Sequence, residues 1–139
     1  MKWPVFAVLS AVFAALTAIF AKIGVAGIDS NVAVAIRTTV VVVFAWGLVS
    51  VQGTGASVAD IPGRTWTFLV LSGIATGLSW LCYFRALQLG PASRVAPLDK
   101  LSVPIAIFLA VVLLGERPTA GVVIGGTLIL AGAVIAVAV

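Results

Sequence analysis

From Thr119 to Val139 the chain carries no ionisable side chain, and four comparably apolar runs precede it. A run of about 18 or more apolar residues is long enough to cross a bilayer. Inside hydrocarbon only helices and closed barrels satisfy every backbone N–H and C=O. These runs are continuous, without the two-residue alternation of a barrel strand, so they are read as helices. Charged residues make up 9% of the chain, against about 25% in soluble domains, too few to cover a water-facing surface. The sequence therefore predicts an all-α, multi-pass protein of the cell (plasma or inner) membrane with almost no soluble portion.

Breakers divide the chain into five transmembrane helices, at about 3–25, 31–51, 64–89, 92–114 and 119–139, within one domain spanning 1–139. Gly24 to Gly27 ends the first. Asp29, Ser30 and Asn31 offer N-caps for the second. Residues 52–63, rich in Gly, Ser and Asp with Pro62, form the one substantial loop. Gly90-Pro91 stops the third helix, and Gly115-Glu116-Arg117-Pro118 forms a tight turn before the fifth. Residues 1–25 have the outline of a signal peptide, but no soluble domain follows, so they are expected to be the first span.

The fourth helix is decided by length. Its charge-free part, residues 101–115, covers about 22 Å at ~1.5 Å per residue, short of the ~30 Å hydrocarbon core. It must extend back through Lys100, Asp99 and Arg94. Ionised groups at that depth cost roughly 2.5–3.5 kcal/mol each and persist where they face a cavity or a partner. Pro97 and Pro104 bracket the Asp99-Lys100 pair, as in the interrupted helices at which transporters place their sites. On a continuous helix Asp99 points about 100° from Lys100, so the two need not pair.

With helix directions alternating, Lys22, Arg37, Arg85, Arg94, Asp99 and Lys100 all fall in one half of the membrane. Lys2, Asp60, Arg64, Glu116 and Arg117 belong to loops and ends. This points to a polar, water-accessible pocket with excess positive charge. For Lys22, Arg85 and Arg94, near helix ends, snorkelling to the headgroups is the plainer reading. Ser72, Thr76, Ser79 and Tyr83 follow helical spacing, with Trp80 beside them, and either line a path or cement helix packing. The substrate-binding or translocation residues are expected to be Lys100 first and Arg37 second, with Asp99, Lys22, Tyr83, Trp80 and Ser79.

Other chemistry is poorly supplied. There is no histidine and one cysteine, Cys82, which leaves no imidazole relay, no His-based metal site and no intrachain disulfide. No carboxylate pair and no nucleophile beside a base suggests an enzyme, and no cofactor is expected. Net charge is +4, but the basic residues are dispersed among the spans, so nucleic acid is not an expected partner; membrane lipid and a small-molecule substrate are.

Five spans place the termini on opposite sides. A duplication would give inverted repeats, and a single copy reaches the same arrangement as an antiparallel homodimer. Lys2, Arg64 and Arg117 on one side balance Lys22, Arg85 and Arg94 on the other, a weak orienting bias that leaves dual insertion open. Gly73-x-x-x-Gly77 and Gly121-x-x-x-Gly125 permit close helix approach, and the uncharged fifth helix, with Gly132 and Ala136, suits a dimer interface.

The segment Tyr83-Phe84-Arg85-Ala86-Leu87-Gln88-Leu89-Gly90-Pro91-Ala92-Ser93, followed by Leu101-Ser102-Val103-Pro104, Leu113-Leu114-Gly115-Glu116-Arg117-Pro118 and Gly121 with Gly125-Gly126, resembles the EamA-type module of the drug/metabolite transporter superfamily. Ala18 to Lys22 and Arg37 fit more loosely. The resemblance implies one inverted-repeat half of a ten-helix transporter, working as a homodimer by alternating access and exporting a small metabolite. Glu116 and Arg117 then belong to a structural turn. The chain is similar in scale to small multidrug exporters of the same superfamily, which depend on a glutamate in the first helix; here that helix has only Lys22. Excess positive charge favours a neutral or anionic substrate, and a non-transporting assembly or accessory protein is the alternative reading.

Overall fold

The computed structural model describes residues 3–138; Lys2, counted in the charge balance above, and Val139, at the end of the fifth span, lie outside the described residues. Five stretches are long and apolar enough to cross a membrane, and they fall where the runs placed them. The helices are α1 (Trp3–Gly24), α2 (Ser30–Gln52), α3 (Gly63–Leu89), α4 (Ala92–Asp99), α5 (Ser102–Leu114) and α6 (Ala120–Ala138). Among the described residues there is no strand.

Local chemistry sets the ends. Asp29, with extended backbone, accepts from the N–H groups of Asn31 at 2.8 Å and Val32 at 3.4 Å, capping α2 with a negative charge at the positive end of its dipole. Gly53 closes α2 in the left-handed region, φ 66°, its N–H donating to the carbonyls of Ser50 and Val49, a conformation that favours glycine. The expected loop after it is not wholly irregular: Thr54–Val58 winds into a 3-10 turn, with the Thr54 hydroxyl donating to the Val49 carbonyl at 3.5 Å. Gly115 ends α5 at φ 68°.

The fourth span is broken, as its prolines suggested. α4 stops at Asp99, α5 starts at Ser102, and Lys100 and Leu101 lie between. The position of the break follows from Pro104. In a continuous helix the carbonyl of Lys100 would accept from residue 104, but proline has no N–H and its ring crowds that carbonyl. The Val103 N–H donates to the Lys100 carbonyl instead, at 3.0 Å. Lys100 and Leu101 in turn donate to the carbonyls of Pro97 and Leu98 at 3.0 Å each. The ladder thus tightens to three-residue bonds at Lys100, Leu101 and Val103, and returns to a four-residue bond where Ile105 donates to the Leu101 carbonyl at 3.3 Å.

Residues 20–88 pack as one unit, and the residues up to 19 with those from 89 onward as another. In the first, Val25, Ser30, Ala33, Val34, Phe84 and Leu87 are buried, Leu87 completely. In the second, α6 lies against α4 and α5, with Val95, Gly126 and Ala133 buried. Large apolar side chains otherwise point outward: Phe44 is 73% exposed and Leu114 74%. A surface of that kind is at rest in acyl chains and not in water.

The α5–α6 contact depends on a missing side chain. A Cβ at Gly126 would come within 2.9 Å of the Ile107 Cδ1. Small residues at such contacts let helices approach where no hydrophobic force joins them. Ile107 Cδ1 ends a flexible chain, so Gly126→Ala is expected to leave thermal unfolding in detergent little changed. Gly126→Leu should destabilise by about 1–3 kcal/mol through overpacking, and Ile107→Ala in the same chain should recover part of it.

Candidate functional site

In the unit formed by residues 20–88, Trp80, Tyr83, Phe84 and Leu87 recur at i, i+3, i+4 and i+7 along α3 and so share one face. The Arg37 Cζ of α2 lies over this face in a cation–π contact, 4.1 Å from the Trp80 ring centre and 5.5 Å from that of Phe84. Phe84 meets Tyr83 edge-on at 6.5 Å between centroids. Such a stack is worth about 0.5–1 kcal/mol in water and about 2 or more when desolvated. Arg37 is half-buried, and among the described residues its guanidinium makes no hydrogen bond or ion pair.

Depth distinguishes Arg37 from the other cations of this unit. It is the eighth residue of α2, about 10 Å in from the helix start. Trp80 lies nine residues before the end of α3, about 13 Å in from that end. An arginine that snorkelled would reach back toward the helix end. This one rests against Trp80, farther from the end of α3 than the Leu87 and Gln88 that Lys22 and Arg85 meet.

Lys22 and Arg85 do lie at helix ends, and they are used there. Leu87 is in the last turn of α3, where carbonyls lack helical donors. The Lys22 ammonium donates to the Leu87 carbonyl, placing positive charge at the negative end of the α3 dipole. The Gln88 amide donates to the carbonyl of Ile28, between α1 and α2, at 2.6 Å. Arg85 Nη1 donates to Gln88 Oε1 at 2.9 Å. Together these bonds tie the end of α1, the α1–α2 connection and the end of α3. Ser79 is exposed, and the Thr76 hydroxyl donates to the Ser72 carbonyl at 2.8 Å within α3.

In the other unit, Lys100 Nζ lies 3.4 Å from Asp99 Oδ2, with side chains 55% and 38% exposed. Lys100 keeps right-handed helical backbone, φ −71°, ψ −6°, so the two neighbours pair through the reach of the lysine side chain and not through a change in direction. Lys100 places positive charge at the C-terminal end of α4, opposite in sign to that dipole end, and pairs there with Asp99, the last residue of α4. A cavity of about 380 Å³ opens between α5 and the start of α6, walled by Ile107, Ala110, Val122 and the turn Glu116 to Thr119; no predicted site residue lines it.

The predicted residues thus resolve into an arginine–aromatic stack (Arg37, Trp80 and, through Phe84, Tyr83), an end clamp (Lys22) and an ion pair at a helix break (Asp99, Lys100), with Ser79 apart. Phe84, Gln88 and the Leu87 carbonyl were missed. The spacing of Trp80, Phe84 and Leu87 was the available signal for the first; a backbone acceptor leaves none.

The EamA-like transporter family matches residues 1–138. A protein named as an uncharacterized transporter in the cobO 3' region, from a Sinorhizobium species, is 52% identical over 133 residues, covering 96% of this chain and 94% of its own length. No solved structure matches.

The clamp has a measurable worth. A bond from a charged donor typically contributes about 1.5–3 kcal/mol. Lys22→Met is expected to lower thermal stability in detergent by an amount in that range, and Lys22→Arg to restore part of it. Unchanged melting in Lys22→Met would show that the Leu87 carbonyl does not need the ammonium.

Proposed function

This chain belongs to the EamA-like transporter family, and from that premise we propose that it exports a small neutral or anionic metabolite by alternating access as a homodimer. The observation that carries the substrate charge is the Arg37 guanidinium, held at the depth of Trp80. The acidic residues of its unit, Asp29 and Asp60, lie outside the helices. An ionised group in hydrocarbon is retained where it meets water or an opposite charge, and the family supplies a reason for water to reach it.

The homodimer is supported by the odd number of spans and by the balance of basic residues between the two sides, counted with Lys2 from the sequence. Two copies inserted in opposite directions form the inverted pair on which alternating access operates. Small-multidrug-type export is the weaker reading, because the span it would use, α1, carries Lys22 and no carboxylate. An accessory role without transport is favoured by one set of observations, the clamp at Lys22 and the Asp99–Lys100 pair, in which charges are spent on structure.

Purified protein in liposomes distinguishes these readings. Counterflow of a mixed metabolite panel should show uptake of at least one solute, and Arg37→Gln should reduce it tenfold or more while the melting temperature stays within a few degrees. Loss of stability without any wild-type flux would instead favour the accessory role.

Topology is read separately. With Cys82→Ala and a single cysteine at Thr54, in the α2–α3 connection, membrane-impermeant maleimide should label about half of the chains from each side. Labelling from one side alone would remove the antiparallel pair.

A further inference from the structure

We infer that the edge of the Arg37 guanidinium is a binding site for an oxyanion, a carboxylate or a phosphate group, with Trp80 and Phe84 as the platform that fixes its orientation. The inference deepens the transport reading and rests on it for the role of the bound anion, not for the binding itself.

The aromatic contact leaves the hydrogen-bonding capacity of the guanidinium open. The Arg37 Cζ lies over the Trp80 ring at 4.1 Å, with Phe84 at 5.5 Å. A guanidinium carries five N–H donors in a planar fork, and none of them meets an acceptor or a carboxylate among the described residues. That planar fork matches the two oxygens of a carboxylate or phosphate, and bidentate contacts of this kind are shorter and stronger than neutral ones. Trp80 and Phe84 also reduce the freedom of a long side chain before anything binds, so less is lost when an anion docks.

Three of the other cations of the spans are committed. Lys22 donates to the Leu87 carbonyl, Arg85 to Gln88 Oε1, and Lys100 pairs with Asp99. Arg94 is exposed on the first turn of α4, at the mouth of its span. Arg37 alone combines depth with donors left unused among the described residues. The first expectation from sequence, that Lys100 leads, is therefore reordered: the stacked arginine is the better anion ligand.

Two sources supply the same chemistry, a dissolved carboxylate or phosphate and the phosphate of a lipid headgroup. Full-length protein with Trp3, Trp46 and Trp66 replaced by Phe leaves Trp80 as the sole indole reporter. In lipid-free maltoside micelles its fluorescence is titrated with sodium acetate and with inorganic phosphate, with choline chloride as the ionic-strength control. A saturable change with acetate or phosphate is expected. Affinity should fall at least tenfold in Arg37→Gln, recover in part in Arg37→Lys, and stay within twofold of the parent in Arg64→Gln, whose guanidinium lies over Phe68 at the start of α3. A parent that gives no saturable change, or an Arg37→Gln protein that titrates like the parent, overturns the site. Should Arg37→Gln aggregate, equal titration of Arg37→Lys and Arg64→Gln with no loss in either overturns it as well.

Phosphatidylglycerol added to the micelles separates the sources. A fivefold or greater loss of apparent acetate affinity that depends on Arg37 assigns the fork to a headgroup phosphate; unchanged affinity assigns it to a solute. Arg37-dependent binding in a protein that shows no flux counts against transport alone. Flux without Arg37-dependent binding counts against this site alone.

Discussion

A backbone amide in hydrocarbon has no water to bond, and each feature of this chain answers to that constraint. It makes every apolar run a helix. It also decides what happens where a helix cannot continue. Pro104 removes one donor, the Lys100 carbonyl turns to Val103, and the amides of Lys100 and Leu101 close three-residue bonds before the ladder resumes at Ile105. The last turn of α3 is handled by different means, with an ammonium from α1 supplying the donor that the helix lacks. In both places a charged residue stands where backbone polarity is left over.

This gives the charges of the spans three separate occupations. Lys22 and, through the neutral Gln88 amide, Arg85 hold helix ends together. Asp99 and Lys100 offset each other at the break. Arg37 does neither, and its partner is an aromatic face. A side chain costing kilocalories at that depth, with no structural bond made in return, is where solute recognition is best sought in a protein of this transporter family.

The spans were legible because length and hydropathy alone decide them; their ends agree within a residue or two, and Asp29 caps α2 as its position suggested. The break was legible as a tendency from Pro97 and Pro104, and its exact residue follows from counting four back from Pro104. The Asp99–Lys100 contact was not, since the angle between neighbouring side chains does not say how far a lysine reaches. Arg37 and Trp80 were both singled out, but their stacking depends on how α3 is rotated about its axis. The stripe of Ser72, Thr76, Ser79 and Tyr83 pointed to one rotation and that of Trp80, Phe84 and Leu87 to another. Packing selects the face with the larger rings, and no local signal ranks the two. The Leu87 carbonyl lay beyond reach because a main-chain acceptor is the same at every position.

The joint at Lys100 and Leu101 also has a mechanical meaning. It separates a rigid rod of eight residues from one of thirteen, the longer about 20 Å from end to end. A swing of about 10° at the pivot carries the far tip sideways by about 3 Å, the width of a water molecule. Ile107 of that rod lies against Gly126 of α6, so the arc through which the arm can travel is set by that close approach as much as by the pivot.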